Sequence, residues 1–173
     1  IHAGGQDLMF PHHENEIAQS TCAHDGAPFA RYWVHNGFLS MDSKKMSKSL
    51  GNVLLVRDLL KVAVGEVLRL SLLSAHYRQP LDWSDATLVS AKRMLDRFYG
   101  AVRNIELTEA DRNAAEPPSA VIDALEDDIN TPKALAEMFN LARNLNRTTD
   151  CAERKTLGAK LLSAGDLVGL IQQ

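Results

Sequence analysis

Two short stretches of this chain place reactive side chains at spacings that suggest chemistry. Lys45-Met46-Ser47-Lys48-Ser49 sets two ammonium groups three residues apart with small hydroxyl residues among them, between a strand-like run and a helical one. Such a loop suits a polyphosphate. Lysine is a compact, mobile cation that can follow charge developing on a departing pyrophosphate, while hydroxyls and loop amides donate to its oxygens. A generic lysine pair at that spacing is usually a solvated turn. Asp42 to Asn52, with three lysines, three serines and one glycine, is nevertheless a loop of unusual cationic density. The second stretch, Pro11-His12-His13-Glu14-Asn15-Glu16, puts His12 and Glu16 at i and i+4. On a helix both side chains then leave one face and can meet one metal ion, while His13 points elsewhere. An imidazole and a carboxylate are two of the four ligands that tetrahedral zinc takes, so this is half a site. An isolated pair of this kind is more often a weak surface ion pair.

The elements that must hold these groups fall into two regions. Before residue 80 glycine-rich loops alternate with short apolar runs, which predicts α/β structure; after it the pattern is almost purely helical. The expected domains are therefore 1–80 and 81–173. In the first, a helix is expected from about Pro11 to Asp25, with Pro11 in its first turn and Gly26 at its stop. Tyr32-Trp33-Val34-His35 reads as a strand, and helix resumes from about Val56 to Ala75 on Leu59, Leu60, Val64, Val67, Leu68 and Leu72. In the second, Ser84 caps a long helix whose apolar positions are Leu88, Leu95, Phe98 and Val102. Its expected partners are a short helix at 119–126, a helix from Pro132 to about Arg147 with Leu135, Met138, Phe139, Ala142 and Leu145 inward, and a last helix carrying Leu157, Leu161 and Leu162. Glu109 to Pro118 reads as a linker.

With 173 residues, 45% of them hydrophobic, the chain can bury a core as one domain or two small ones. No stretch approaches the roughly 18 consecutive apolar residues of a membrane span, and no secretory leader opens the chain, so no membrane partner and a cytoplasmic location are expected. Cys22 and Cys151 lie in no metal-like or redox-like spacing and read as free thiols. A net charge of −3 gives no global attraction to nucleic acid, so any RNA contact must come from a local basic face. The opening Ile-His-Ala-Gly-Gly reads like a strand end entering a loop, which predicts a larger protein upstream.

The full strings narrow the reading. Lys-Met-Ser-Lys-Ser followed by Leu-Gly-Asn resembles the signature of class I aminoacyl-tRNA synthetases. Gly4-Gly5-Gln6-Asp7-Leu8 with Phe10-Pro11-His12-His13-Glu14-Asn15-Glu16 resembles the cysteinyl-tRNA synthetase family in particular. That resemblance implies the second half of a Rossmann-like catalytic domain with the active site at its strand ends, then a stem-contact segment and a helical bundle on the tRNA-binding side. It implies ATP-dependent activation of L-cysteine to cysteinyl-adenylate and transfer to tRNA(Cys), with Mg accompanying ATP. Lys45 and Lys48 would be catalytic; Gly4, Gly5, Asp7 and Lys48 would meet ATP, and Asp7 its ribose. His2 would line the cysteine pocket. Zinc would fall to His12 and Glu16 with two cysteine ligands upstream of residue 1, since neither Cys22 nor Cys151 matches them. Zinc prefers a thiolate to an alcohol, so such a site would reject serine without editing.

Ala3 and Gln6 stand where family patterns usually carry a third glycine and a serine, which puts the detail of the loop in doubt. Asp127-Asp128-Ile129-Asn130-Thr131-Pro132 resembles the family's bundle motif and reads as a capped helix start. Lys92, Arg93, Arg97 and Arg103 crowd one helix that could meet RNA, although such a run is usually a solvated face. Two alternatives stand beside the synthetase: a mycothiol-pathway cysteine ligase built on the same catalytic domain, and a non-catalytic RNA-binding fragment. The His-Ile-Gly-His type of ATP signature is missing here, so the isolated chain is expected not to turn over.

Overall fold

The computed structural model describes residues 1–41, 44–45 and 53–172, Lys44 and Lys45 by their backbone alone. Lys48 and the rest of the lysine loop after Lys45 lie outside the described residues. In chain order the elements are β1 (His2–Gly5), a tight turn Gln6–Leu8, a wide turn Met9–His13, α1 (Glu14–Ala23), β2 (Trp33–Asn36), β3 (Leu39–Met41) and β4 (Lys44–Lys45). Then follow α2 (Val56–Leu59), α3 (Gly65–Leu73), β5 (Leu81–Trp83), α4 (Asp85–Val102), α5 (Glu109–Asn113), α6 (Ser119–Glu126), α7 (Thr131–Arg147) and α8 (Cys151–Val168). The fold is α/β followed by all-α. No described helix is long and apolar enough to cross a membrane.

The chain forms two compact units, and they interleave: Ile1–Asn52 with Tyr77–Trp83, and Val53–His76 with Ser84–Gln173. A single cut near residue 80 misses this exchange. The region from 53 to 76 belongs with the helices because Val67 and Leu70 of α3 need helical partners to be buried. Tyr77–Trp83 belongs with the strands because β5 supplies a sheet edge.

In the first unit β1 and β2 are parallel, with His2 opposite Trp33, Ala3 opposite Val34, Gly4 opposite His35 and Gly5 opposite Asn36. A second sheet has the order β4-β3-β5, with β4 antiparallel and β5 parallel to β3. Phe10 is extended (φ −137°, ψ 132°), and Pro11 to His13 after it are already helical and run into α1, so the helical path starts at Pro11 as expected, with regular α-helix from Glu14. Helix α1 does end before Gly26, as expected.

In the second unit the apolar periodicity of α4, α6, α7 and α8 closes one core, in which Leu70, Phe98, Met138, Leu145 and Leu161 are wholly buried. Ser84 caps α4 by accepting from the Thr87 amide, and Asn130 caps α7 by accepting from Lys133 at 3.2 Å. The single helix expected over 56–75 is two. Val64 is extended (ψ 149°) between β-branched Val62 and Gly65, poor helix formers, so the chain breaks there. That break leaves Leu60 and Val64 exposed rather than inward. The expected linker contains a short helix, α5, started by a reciprocal cap between Thr108 and Asp111.

Candidate active site

The site grows from the ends of β1 and β2. Parallel register sets His2 across from Trp33, and strand alternation puts His35 on the same side as Trp33. The rings meet accordingly: His2 lies 4.9 Å from Trp33 and 4.9 Å from Phe29, and Trp33 stacks on His35 at 6.1 Å. Into this aromatic floor the wide turn delivers His13, buried, edge-on to His2 at 4.7 Å. The Nδ1 of His13 and the Nε2 of His35 are 2.9 Å apart, so one ring donates and the other accepts. Gly4 is needed for the approach: a Cβ there would sit 2.9 Å from His13 Cε1.

Helix α1 adds a carboxylate. Glu16 Oε2 is 2.8 Å from His2 Nε2, and both side chains keep access to solvent. Among the described residues, His2, His13 and Glu16 bring their ligand atoms within 4.8 Å of one another. The expected pair is distributed differently: Glu16 is in this group, whereas His12 is exposed and outside it. His13, expected to point elsewhere, is brought in as well: Pro11 to His13 are helical after the single extended residue Phe10, and side chains at i and i+3, as His13 and Glu16 are, meet on a helix face as those at i and i+4 do.

Gly4 and Gly5 end β1, and Asp7 is exposed in the tight turn that follows. Gln6, the departure from the family pattern, donates from Nε2 to the Arg78 carbonyl at 3.1 Å. Lys45 is in β4, in register with Ser40 of β3. Sequence reasoning did not bring the rings of His13, Phe29, Trp33 and His35 to His2. The parallel strand register that gathers His2, Trp33 and His35 was the signal, and it is not legible before the pairing is known.

On α4 the basic residues divide. Lys92 makes an exposed ion pair with Asp96 one turn on, at 2.7 Å, and the Arg97 guanidinium lies 4.9 Å over the Phe139 ring. In the bundle motif Thr131 is buried and its hydroxyl donates to the Ala75 carbonyl at 3.4 Å, which agrees with a structural reading. Cys22 and Cys151 are free and exposed.

A strand end carrying glycines, an aromatic and imidazole floor, and a short sheet ending at Lys45 make up the described site. The chain belongs to the family described as tRNA synthetases class I (C) catalytic domain, which it matches over residues 1–93. Residues 120–172 match the DALR domain. The chain is 58% identical over 172 residues to a cysteine–tRNA ligase of Parvibaculum lavamentivorans, covering 99% of this chain and 37% of that protein. It is 56% identical over 173 residues to the cysteine–tRNA ligase of Xanthomonas campestris pv. campestris, covering 100% of this chain and 37% of that one. The chain thus spans 37% of the length of these curated relatives. Among solved structures it resembles agnB2 LeuRS of Agrobacterium radiobacter K84 in its ternary complex with tRNA and LeuAMS, at TM-score 0.71 and 20% identity over 94% of this chain and 24% of that one. It also resembles methionyl-tRNA synthetase of Mycobacterium tuberculosis with methionyl-adenylate, at TM-score 0.58 and 17% identity over 96% of this chain and 39% of that one. These two likenesses concern the fold alone.

Proposed function

We propose that this chain is the substrate-selecting and pyrophosphate-releasing part of a cysteine–tRNA ligase. The observation that carries the reading is the gathering of His2, His13 and Glu16 at the strand end from which Gly4 and Gly5 lead to Asp7. The names and identities of the relatives support the amino acid.

In this reading the cysteine carboxylate attacks the α-phosphorus of Mg-bound ATP and expels pyrophosphate. The terminal ribose hydroxyl of tRNA(Cys) then attacks the acyl carbon and expels AMP. Asp7 accepts from the ATP ribose, and Gly4 and Gly5 let backbone approach the nucleotide. Lys45 and Lys48 stabilise charge on the departing pyrophosphate. His2 lines the cysteine pocket.

An exposed imidazole and an exposed carboxylate one helical turn apart, those of His12 and Glu16, are donors that suit zinc. We assign the metal to them, with two thiolates from the longer protein. Zinc there would supply preference for sulfur over oxygen. The Oε2 of Glu16 is engaged by His2, which would give His2 a part in orienting that carboxylate for a metal. A cytoplasmic location goes with this function.

The test is pyrophosphate exchange into ATP by the protein of full family length. Exchange that depends on cysteine, charging of tRNA(Cys), and no transfer to an amino sugar are expected. Exchange driven equally by serine, or transfer to a sugar amine, would refute the assignment.

A further inference from the structure

The segment Tyr77–Trp83 leaves the helices to rejoin the first unit, and hydrogen bonds among the described residues fasten it there. The Gly37 amide donates to the Tyr77 carbonyl at 2.7 Å, and the Leu81 amide donates to the Phe38 carbonyl at 2.9 Å. The Ser40 hydroxyl donates to Asp82 Oδ1 at 2.6 Å. Gln6 reaches from the glycine loop to the Arg78 carbonyl at 3.1 Å. The approach is close enough to demand glycine at 37, where a Cβ would stand 2.4 Å from the Gln79 carbonyl oxygen.

Register gives this fastening a direction. Ser40 is the partner of Lys45 on one side and of Asp82 on the other, so Lys45, Ser40 and Asp82 form one cross-strand row over β4-β3-β5. Strand β4 is two residues long and gains little from its own pairing, so the place of its lysine depends on how firmly β3 is held. On its far side β3 is held by β5, and the bond between Ser40 and Asp82 is a side-chain link across that pairing.

We infer that Tyr77–Trp83 is a strut joining the glycine loop to the lysine strand, and that Asp82, acting through Ser40, is a positioning residue for Lys45. This rests on the proposed part of the lysine loop in pyrophosphate release. It also gives Gln6 a use: a longer side chain than serine spans to the strut, so the two ATP-facing elements share one support. Reaction geometry is sensitive to displacements of about 1 Å, so loosening the strut lowers turnover without touching the amino acid pocket.

In the protein of full family length, Ser40→Ala and Asp82→Ala are each expected to lower the turnover of cysteine-dependent pyrophosphate exchange about fivefold to tenfold, with KM for cysteine unchanged. The double variant should fall no further than Asp82→Ala alone, because Asp82→Ala already removes the bond to Ser40. Asp82→Asn should regain most of the loss, since its amide oxygen still accepts from Ser40. Ser40→Ala removes only a hydroxyl and keeps the fold testable by its thermal midpoint. A lowered midpoint with turnover unchanged, or additive losses in the double variant, would overturn the inference. Lys48→Ala separates the two levels. If it leaves exchange intact, the lysine-loop reading and the strut fall together; if it abolishes exchange while Ser40→Ala and Asp82→Ala keep full turnover, only the strut falls.

Discussion

The Nε2 of His2 stands 2.8 Å from Oε2 of Glu16, joining the end of β1 to the first turn of α1. An imidazole N–H held by a ligating carboxylate fixes the orientation of that carboxylate, and loss of such a partner costs about 10- to 100-fold in metal affinity. His12→Ala and Glu16→Ala are therefore expected to strip zinc from the protein of full family length. His2→Ala should weaken zinc by the smaller factor. Elemental analysis after dialysis against a graded chelator reads all three. A full complement of zinc in both ligand variants removes the metal assignment. Retention in His12→Ala with loss in His13→Ala would move the site to His2, His13 and Glu16.

A methyl group at Gly4 would meet His13 Cε1 at 2.9 Å and His13 Nε2 at 3.0 Å, against a ring that is buried and bonded to His35. Neither the strand nor the ring can yield cheaply. Gly4→Ala should cost about 1–3 kcal/mol, the range for overpacking, measured by chemical denaturation. Truncating the obstacle in Gly4→Ala/His13→Ala should give a total smaller than the sum of the single changes. Strict additivity would mean that the two residues do not meet.

Much of the second unit is legible in the residues because it is built on helical periodicity and local caps. Ser84, Asn130 and Pro132 announce helix starts that the structure keeps, and Leu135, Met138, Ala142 and Leu145 are buried as their spacing implies. The first unit is less legible. β3 and β5 are three residues each and separated by a helical region, so their pairing is a long-range choice that no local pattern encodes. His13 escapes for another reason: at i to the i+3 of Glu16 it shares the helix face that the i, i+4 spacing gave to His12 alone. Among the charged loops, Glu109 to Pro118 reads as linker by composition, yet Thr108 and Asp111 are spaced to cap each other and start α5.

That reciprocal cap predicts a pH response. The Thr108 amide at 2.9 Å from Asp111 Oδ2, followed by the Thr108 hydroxyl at 2.8 Å, holds the Asp111 carboxyl below its ordinary value. Because the folded value is depressed, the contribution to folding is present above the unfolded value of about 3.9 and is lost as pH falls through the lowered folded value. An NMR titration should find Asp111 titrating below the ordinary aspartate range, and Thr108→Ala, which removes the hydroxyl and keeps the larger hydrogen bond from the backbone amide, should bring it only part of the way up. An unchanged titration in that variant would mean that the Thr108 hydroxyl does not hold the carboxylate.

The core of the helical unit turns on Phe98, which has no exposed surface and stacks on Phe139 with ring centroids 4.3 Å apart and planes 18° apart. Arg97 lies over the same Phe139 ring at 4.9 Å, so one ring serves both the core and a surface cation. Phe98→Ala opens a cavity in a fully enclosed place and should cost about 3–5 kcal/mol, whereas Phe98→Leu, which fills most of the volume, should cost much less. Denaturant midpoints at constant slope read these differences. Phe139→Leu removes the stacking partner and the platform for Arg97, so it should also erase most of the cost of a further Arg97→Ala. If Arg97→Ala costs as much in the Phe139→Leu background as in the unaltered chain, the guanidinium gains nothing from the ring, and Arg97 is left as an ordinary solvated charge on α4.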